Sequence, residues 1–160
     1  MLLFNYEQLL EQAQSWNVFV YEKDTKGTTK GLYVDSHILI DKKMSMIEKS
    51  CILAEELGHH HTTFGNISNQ NKLPNKKQEL RAREWGYKLL FPLERLIEAQ
   101  KEGIKNRFEL AEYLNVTEQF LEDALKRYKE KYGLYKQIGK YTICFEPLGV
   151  IENFEEVMPK

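Results

Sequence analysis

Ser45-Met46-Ile47-Glu48-Lys49-Ser50-Cys51-Ile52-Leu53-Ala54-Glu55-Glu56-Leu57-Gly58-His59-His60-His61 is the stretch on which the reading of this chain turns. Ile47, Cys51, Ala54 and Leu57 recur at helical spacing, and Ile52 and Leu53 widen the apolar face. Ser45 followed three residues later by Glu48 forms a capping box, so a helix is expected from about Ser45 to His61. Three of the four histidines of the chain are consecutive within it.

Upstream, the spacing of Leu9, Leu10 and Ala13 predicts a short helix over Tyr6–Gln14. Val18–Tyr21, Gly31–Val34 and His37–Ile40 are β-branched and aromatic runs separated by turn-forming residues, and three in a row predict a small antiparallel meander. Downstream, residues 62–76 have loop composition. A second helix is expected over Lys77–Phe91, because Ala82, Trp85, Gly86, Leu89 and Leu90 share a face and Pro92 closes it. Further helices are expected at 93–101, 107–114 and 117–131, the last capped by Thr117, and Tyr141–Phe145 is a late strand. The fold class is α+β: a three-stranded antiparallel sheet, a central helix and a mostly helical C-terminal half.

The chain has 160 residues, 42 % of them hydrophobic and 29 % charged, which is ordinary globular usage. No linker composition divides it, so one domain over 1–160 is expected, with residues 96–160 packed as a helical extension on a core of 1–95. Cys51 and Cys144 lie too far apart for a metal ribbon and suit a reducing compartment. With 23 basic against 24 acidic residues, nucleic-acid coating is not the expected role. The N-terminus lacks the basic and apolar regions of a signal peptide and no run is long enough to span a membrane, so a cytoplasmic protein is expected.

On a helix, positions i and i+4 lie about 40° apart, so Glu55 and His59 can face one centre. Glu56 sits at the edge of that centre. Two ligands one turn apart, with a carboxylate beside the first to take a proton from water, are what a zinc-peptidase helix requires. The motif here is Glu-Glu-x-x-His, and carboxylate oxygen is an acceptable zinc ligand. The plain alternative is a helix with surface carboxylates. His60 projects with Glu56 and either orients it or replaces His59 as a ligand, His61 is a packed or capping residue, and His37 is structural. A third ligand is needed, and Glu79 heads the core-facing stripe of the second helix, where a carboxylate is also favoured by the helix dipole alone. Glu84 points elsewhere and is expected to be solvated.

Three stretches together resemble the ImmA/IrrE family of small zinc-dependent metallopeptidases: Gly31–Asp41, Glu48–His60, and Glu79–Ala82 leading to Trp85-Gly86 and Leu89-Leu90-Phe91-Pro92. The resemblance implies that His59 is a metal ligand, Glu56 the general base and Glu79 the third ligand. Glu55 then occupies the place of the usual first histidine, and Arg81 stands where many members carry an acid. It further implies zinc or another divalent metal as cofactor, and a helix-turn-helix repressor as protein substrate. A catalytically degenerate module that only binds such a protein is the alternative. Phe108–Leu121 itself resembles a helix-turn-helix, but Glu118, Glu122 and Asp123 at the start of its second helix repel phosphate, so direct DNA binding is not expected.

Overall fold

The structure is a computed structural model that describes residues 4–63 and 73–154. Among these, six helices and six strands occur in the order α1 (Tyr6–Ser15), β1 (Phe19–Lys23), β2 (Gly31–Val34), β3 (His37–Asp41), α2 (Met46–Thr62), α3 (Leu73–Leu90), α4 (Glu94–Lys101), α5 (Arg107–Leu114), α6 (Glu118–Tyr132), β4 (Tyr135–Ile138), β5 (Tyr141–Phe145) and β6 (Leu148–Glu152). The α+β class stands, and the order of elements follows the change of hydrophobic period along the chain. Both Ser45 and Thr117 cap their helices as expected, Ser45 through a complete capping box with Glu48. α3 begins four residues earlier than Lys77, and most of the expected 62–76 loop lies outside the described residues.

The first sheet departs from the expected meander. Its order is β1-β3-β2, with β1 parallel to β3 and β2 antiparallel to it, so the sheet is mixed. The reason is burial. Ile38 and Ile40, both fully buried, make β3 the most apolar strand on the inward face, and the central position buries them best. The two-residue Asp35-Ser36 turn, with φ of 46° and 64°, joins β2 to β3 directly, whereas the longer 24–30 connection carries β1 to the far side. Tyr6 donates to Glu22 Oε1 at 2.6 Å, and Lys49 Nζ meets the other oxygen at 3.0 Å, which ties α1, β1 and α2 together.

The C-terminal half has the three expected helices and adds two strands to the expected Tyr141–Phe145. β4, β5 and β6 form a second, antiparallel sheet, of which only β5 carries a clear apolar pattern; Tyr-Lys-Gln-Ile and Leu-Gly-Val-Ile-Glu are too polar or too interrupted to stand out. Tertiary contact supplies what composition lacks. Gln100 of α4 acts as a surrogate strand partner, its amide donating to Val150 O at 2.8 Å and its oxygen accepting from Val150 N–H at 3.0 Å. Among the described residues one apolar cluster runs through both halves, joining Leu9, Ile38 and Leu57 to Phe91, Leu121 and Ile143.

α2 and α3 pack antiparallel and very closely, with Gly58 against Ala82 and Gly86 against Ala54. A Cβ at Gly58 would stand 2.0 Å from the Ala82 carbonyl oxygen, and one at Gly86 would stand 2.9 Å from that of Ala54. The small residues at 82 and 86 permit this close approach, with Gly58 as the matching position on α2.

Glu84 is not solvated. It is 8 % exposed and sits among three cations: Lys88 at 2.8 Å, Arg127 at 2.7 Å and Lys131. α6 packs on this side of α3, so the face that looks polar in sequence is covered by oppositely charged side chains. Burial alone would raise the Glu84 pKa, but hydrogen bonds from Lys131, Lys88 and Arg127 outweigh it and hold the carboxyl at about 2.

Two stability predictions follow from these contacts. Gly58→Ala should lower stability by about 1–3 kcal/mol in urea unfolding, since overpacking outweighs the helix-propensity gain of about 1 kcal/mol. A stabilised Gly58→Ala variant would mean that the helices separate without cost. Glu84→Gln should cost about 1–3 kcal/mol at pH 7. Because its folded pKa is depressed, the contribution is fully present above the ordinary carboxylate range and is lost as pH falls toward 2. The gap between wild type and variant in urea midpoint should accordingly shrink between pH 5 and pH 3.

Candidate metal centre

The close α2–α3 packing brings the end of one helix beside the first turns of the other. His59 Nε2 stands 3.2 Å from Glu79 Oε2. The second ring nitrogen, Nδ1, is 3.0 Å from the Thr63 hydroxyl at the helix C-cap. Arg83 Nε–H donates to the other Glu79 oxygen at 2.8 Å. Burial works against a charged His59, but the Glu79 hydrogen bond and the neighbouring carboxylates raise its pKa, while the same hydrogen bond lowers that of Glu79. Both shifts run in the direction that favours an ion pair.

Glu55 and Glu56 lie in the same electrostatic neighbourhood. Burial raises the Glu55 pKa, partly opposed by the positive charge of Arg83. Glu56 is pushed up to about 7 by burial, against the pull of His59. Its carboxylate rests against β2 at Gly31, where an added Cβ would stand 2.8 Å from Glu56 Oε1 and 2.4 Å from Ile52 Cγ2. Glycine at 31 is therefore what lets Glu56 occupy this position. Among the described residues, no group of three or more His, Cys, Asp or Glu side chains is arranged to hold a metal ion.

The other histidines separate by direction. His60 Nδ1 lies 3.0 Å from the Tyr33 hydroxyl of β2, whose oxygen also accepts from the Ser36 N–H at 3.2 Å. This contact leaves His60 hydrogen-bonded to the sheet, on the side of β2 and not of α3. His61 packs as expected, its ring stacked on Trp85 at 4.5 Å and edge-on to Trp16 at 4.5 Å. His37 lies on the outer face of the sheet, where its ring stacks with Phe19 and Tyr21, and its Nδ1 is 2.8 Å from Asp35 O. Sequence reasoning overlooked Arg83, Thr63, Gly31 and Tyr33. Only Arg83 had a local signal, its i+4 spacing from Glu79.

The family model described as the IrrE N-terminal-like domain, a peptidase family, matches residues 13–126. The chain belongs to this family. Comparison with curated proteins and with solved structures gives no match. The IrrE N-terminal-like match runs past residue 95 through α5 and into α6, further than the three sequence blocks reach. Peptidases of this family are generally zinc-dependent. No helix among the described residues is long and apolar enough to cross a membrane.

The His59–Glu79 pair fits a divalent ion. Two ligands held at about 2.0–2.2 Å by one tetrahedral ion stand roughly 3.3 Å apart, close to the 3.2 Å observed. A ligating histidine normally spends its second nitrogen on a fixed partner, as His59 does on Thr63. The pair offers two donors that a single ion could bridge.

Proposed function

We propose that this chain is a zinc-dependent metalloendopeptidase acting on a protein substrate. The observation that carries the reading is the His59–Glu79 pair, at ligand spacing beside two carboxylates whose pKa values burial has raised. His59 and Glu79 would hold the ion, and Glu55, one turn before His59, would be the third ligand. The residues of this site come from α2 and α3, the two helices that the Gly58 and Gly86 contacts lock together. A divalent ion held there supplies Lewis acidity to the scissile carbonyl and to the attacking water.

The chain's own residues do the rest. Glu56 takes the proton from the attacking water and passes it to the leaving amide nitrogen. With a pKa of about 7 it can both accept and release a proton near neutral pH. Thr63 holds the His59 ring so that Nε2 faces the site, and Gly31 leaves room for Glu56 against the sheet. We read residues 1–160 as one domain, supported by the Thr117 N–H that points at Cys51 Sγ at 3.5 Å and by the Glu84–Arg127 pair between α3 and α6. A helix-turn-helix regulator is the proposed substrate, on the family resemblance. A DNA-reading role for α5 and α6 is disfavoured, because Glu118, Glu122 and Asp123 crowd the start of α6 and Arg107 is already paired with Glu122.

A second reading has one specific observation behind it. The first ligand position is a glutamate and no three-donor group is assembled among the described residues, as expected of a degenerate module that binds its partner without cleaving it. Two measurements decide. Calorimetric titration of chelator-treated protein with zinc should give one site per chain, lost in His59→Ala; equal binding by the two proteins would remove His59 from the site. Incubation with a panel of helix-turn-helix repressors should give cleavage of at least one that falls at least about 100-fold in Glu56→Gln. Stable association with no cleavage by the wild type would favour the binding module.

A further inference from the structure

Among the described residues Arg83 is the arginine or lysine placed against the candidate site, and its contacts do not suit a bystander. Its Nε–H holds Glu79 Oε1 at 2.8 Å, on the carboxylate whose other oxygen faces His59 at 3.2 Å. The two oxygens of Glu79 are thereby given separate tasks. A carboxylate free to rotate can present either oxygen or both to an ion, whereas one oxygen tied to a guanidinium leaves the other as a single-oxygen ligand. The spacing is built into α3, since residues four apart lie one above the other on the same face.

The charge count points the same way. A site with two histidines, a base and one carboxylate ligand carries two formal negative charges. Glu55 in the first position makes three, from Glu55, Glu56 and Glu79. The positive charge of Arg83 returns the cluster to two, and it acts on Glu55 as well as on Glu79. The Arg83 side chain is half exposed, at 51 %, so it is not needed to fill the core.

We propose that Arg83 is a positioning residue for the metal site: by holding Glu79 Oε1 it fixes Oε2 as the ligand oxygen opposite His59 Nε2. This rests on the proposed metallopeptidase reading. It makes a prediction opposite in sign to simple Coulomb attraction. Removing a nearby positive charge should by itself tighten the binding of a cation, whereas removing the residue that orients a ligand should weaken it.

The test is zinc titration of the full-length, chelator-treated chain, with wild type, Arg83→Met, Arg83→Lys and His59→Ala compared by calorimetry. Circular dichroism melting would establish that each variant is folded. Arg83→Met should bind zinc about 10–100-fold more weakly than wild type. Arg83→Lys, which keeps a donor on a long stem, should recover most of that loss. Binding by Arg83→Met that is equal to or tighter than wild type would overturn the positioning role while leaving the metal site in place, as would a Lys variant no better than Met. A wild-type chain that binds no zinc, or a His59→Ala variant that binds it as well as wild type, would overturn the metallopeptidase reading and the role of Arg83 with it.

Discussion

The backbone-to-backbone approach of α2 and α3 is the constraint on which the rest depends. Where Gly58 meets the Ala82 carbonyl there is no room for even one methyl group, and Gly86 meets Ala54 almost as tightly. Helices with larger contact residues pack with axes about 8–10 Å apart, and side chains fill the space between them. Here that space is removed, so polar groups at the ends of the two helices come within hydrogen-bond reach. His59 follows Gly58 by one residue, and Glu79 precedes Ala82 by three. Contact of the small residues and contact of the polar pair are therefore consequences of the same packing.

Burial then sorts the acids. Four of the five glutamates on these two helices, Glu55, Glu56, Glu79 and Glu84, begin with the same intrinsic affinity for protons and end with different ones. Glu84, ringed by Lys88, Arg127 and Lys131, is held at about 2, while Glu56, which burial dominates, is pushed to about 7. Glu79, shared between His59 and Arg83, stays low, and Glu55 is raised. Pairs of acids driven apart in this way are a general sign of divided chemical roles, although an ion-pair network such as that of Glu84 perturbs a pKa for structural reasons. The difference lies in the partners. Glu84 is fully paired and bolts α6 to α3, whereas Glu56 is set against the bare backbone of Gly31.

How much of this was legible varied with the range of the interaction. Helix boundaries were readable because caps and apolar periodicity are local: Ser45 with Glu48, Thr117, and the stripe through Leu110 and Leu114 each act within a few residues. The His59–Glu79 meeting was readable as a possibility, because each helix showed one polar residue at the edge of a core-facing stripe. Sheet order was not, since β1, β2 and β3 look alike as short apolar runs and only the competition for the central position separates them. β4 and β6 were missed for a related reason, as their polar sequences are held by Gln100 and by β5 and not by their own pattern. Glu84 was misjudged because its cations lie mostly on another helix, more than forty positions away.

The sequence by itself determined the α+β class, the order of the helices and most of their ends, the family, and the pair of helices that carry the candidate site residues. Each of these depends on spacing along the chain, which is fixed by the covalent order of residues. Only the tertiary structure decided that the sheet is mixed, that His60 turns to Tyr33 while His59 turns to Glu79, and that Arg83 takes the second oxygen of Glu79. Those outcomes depend on which groups are left in reach once the core has closed. Desolvation then makes it costly for a buried polar atom to refuse the partner that packing has brought to it.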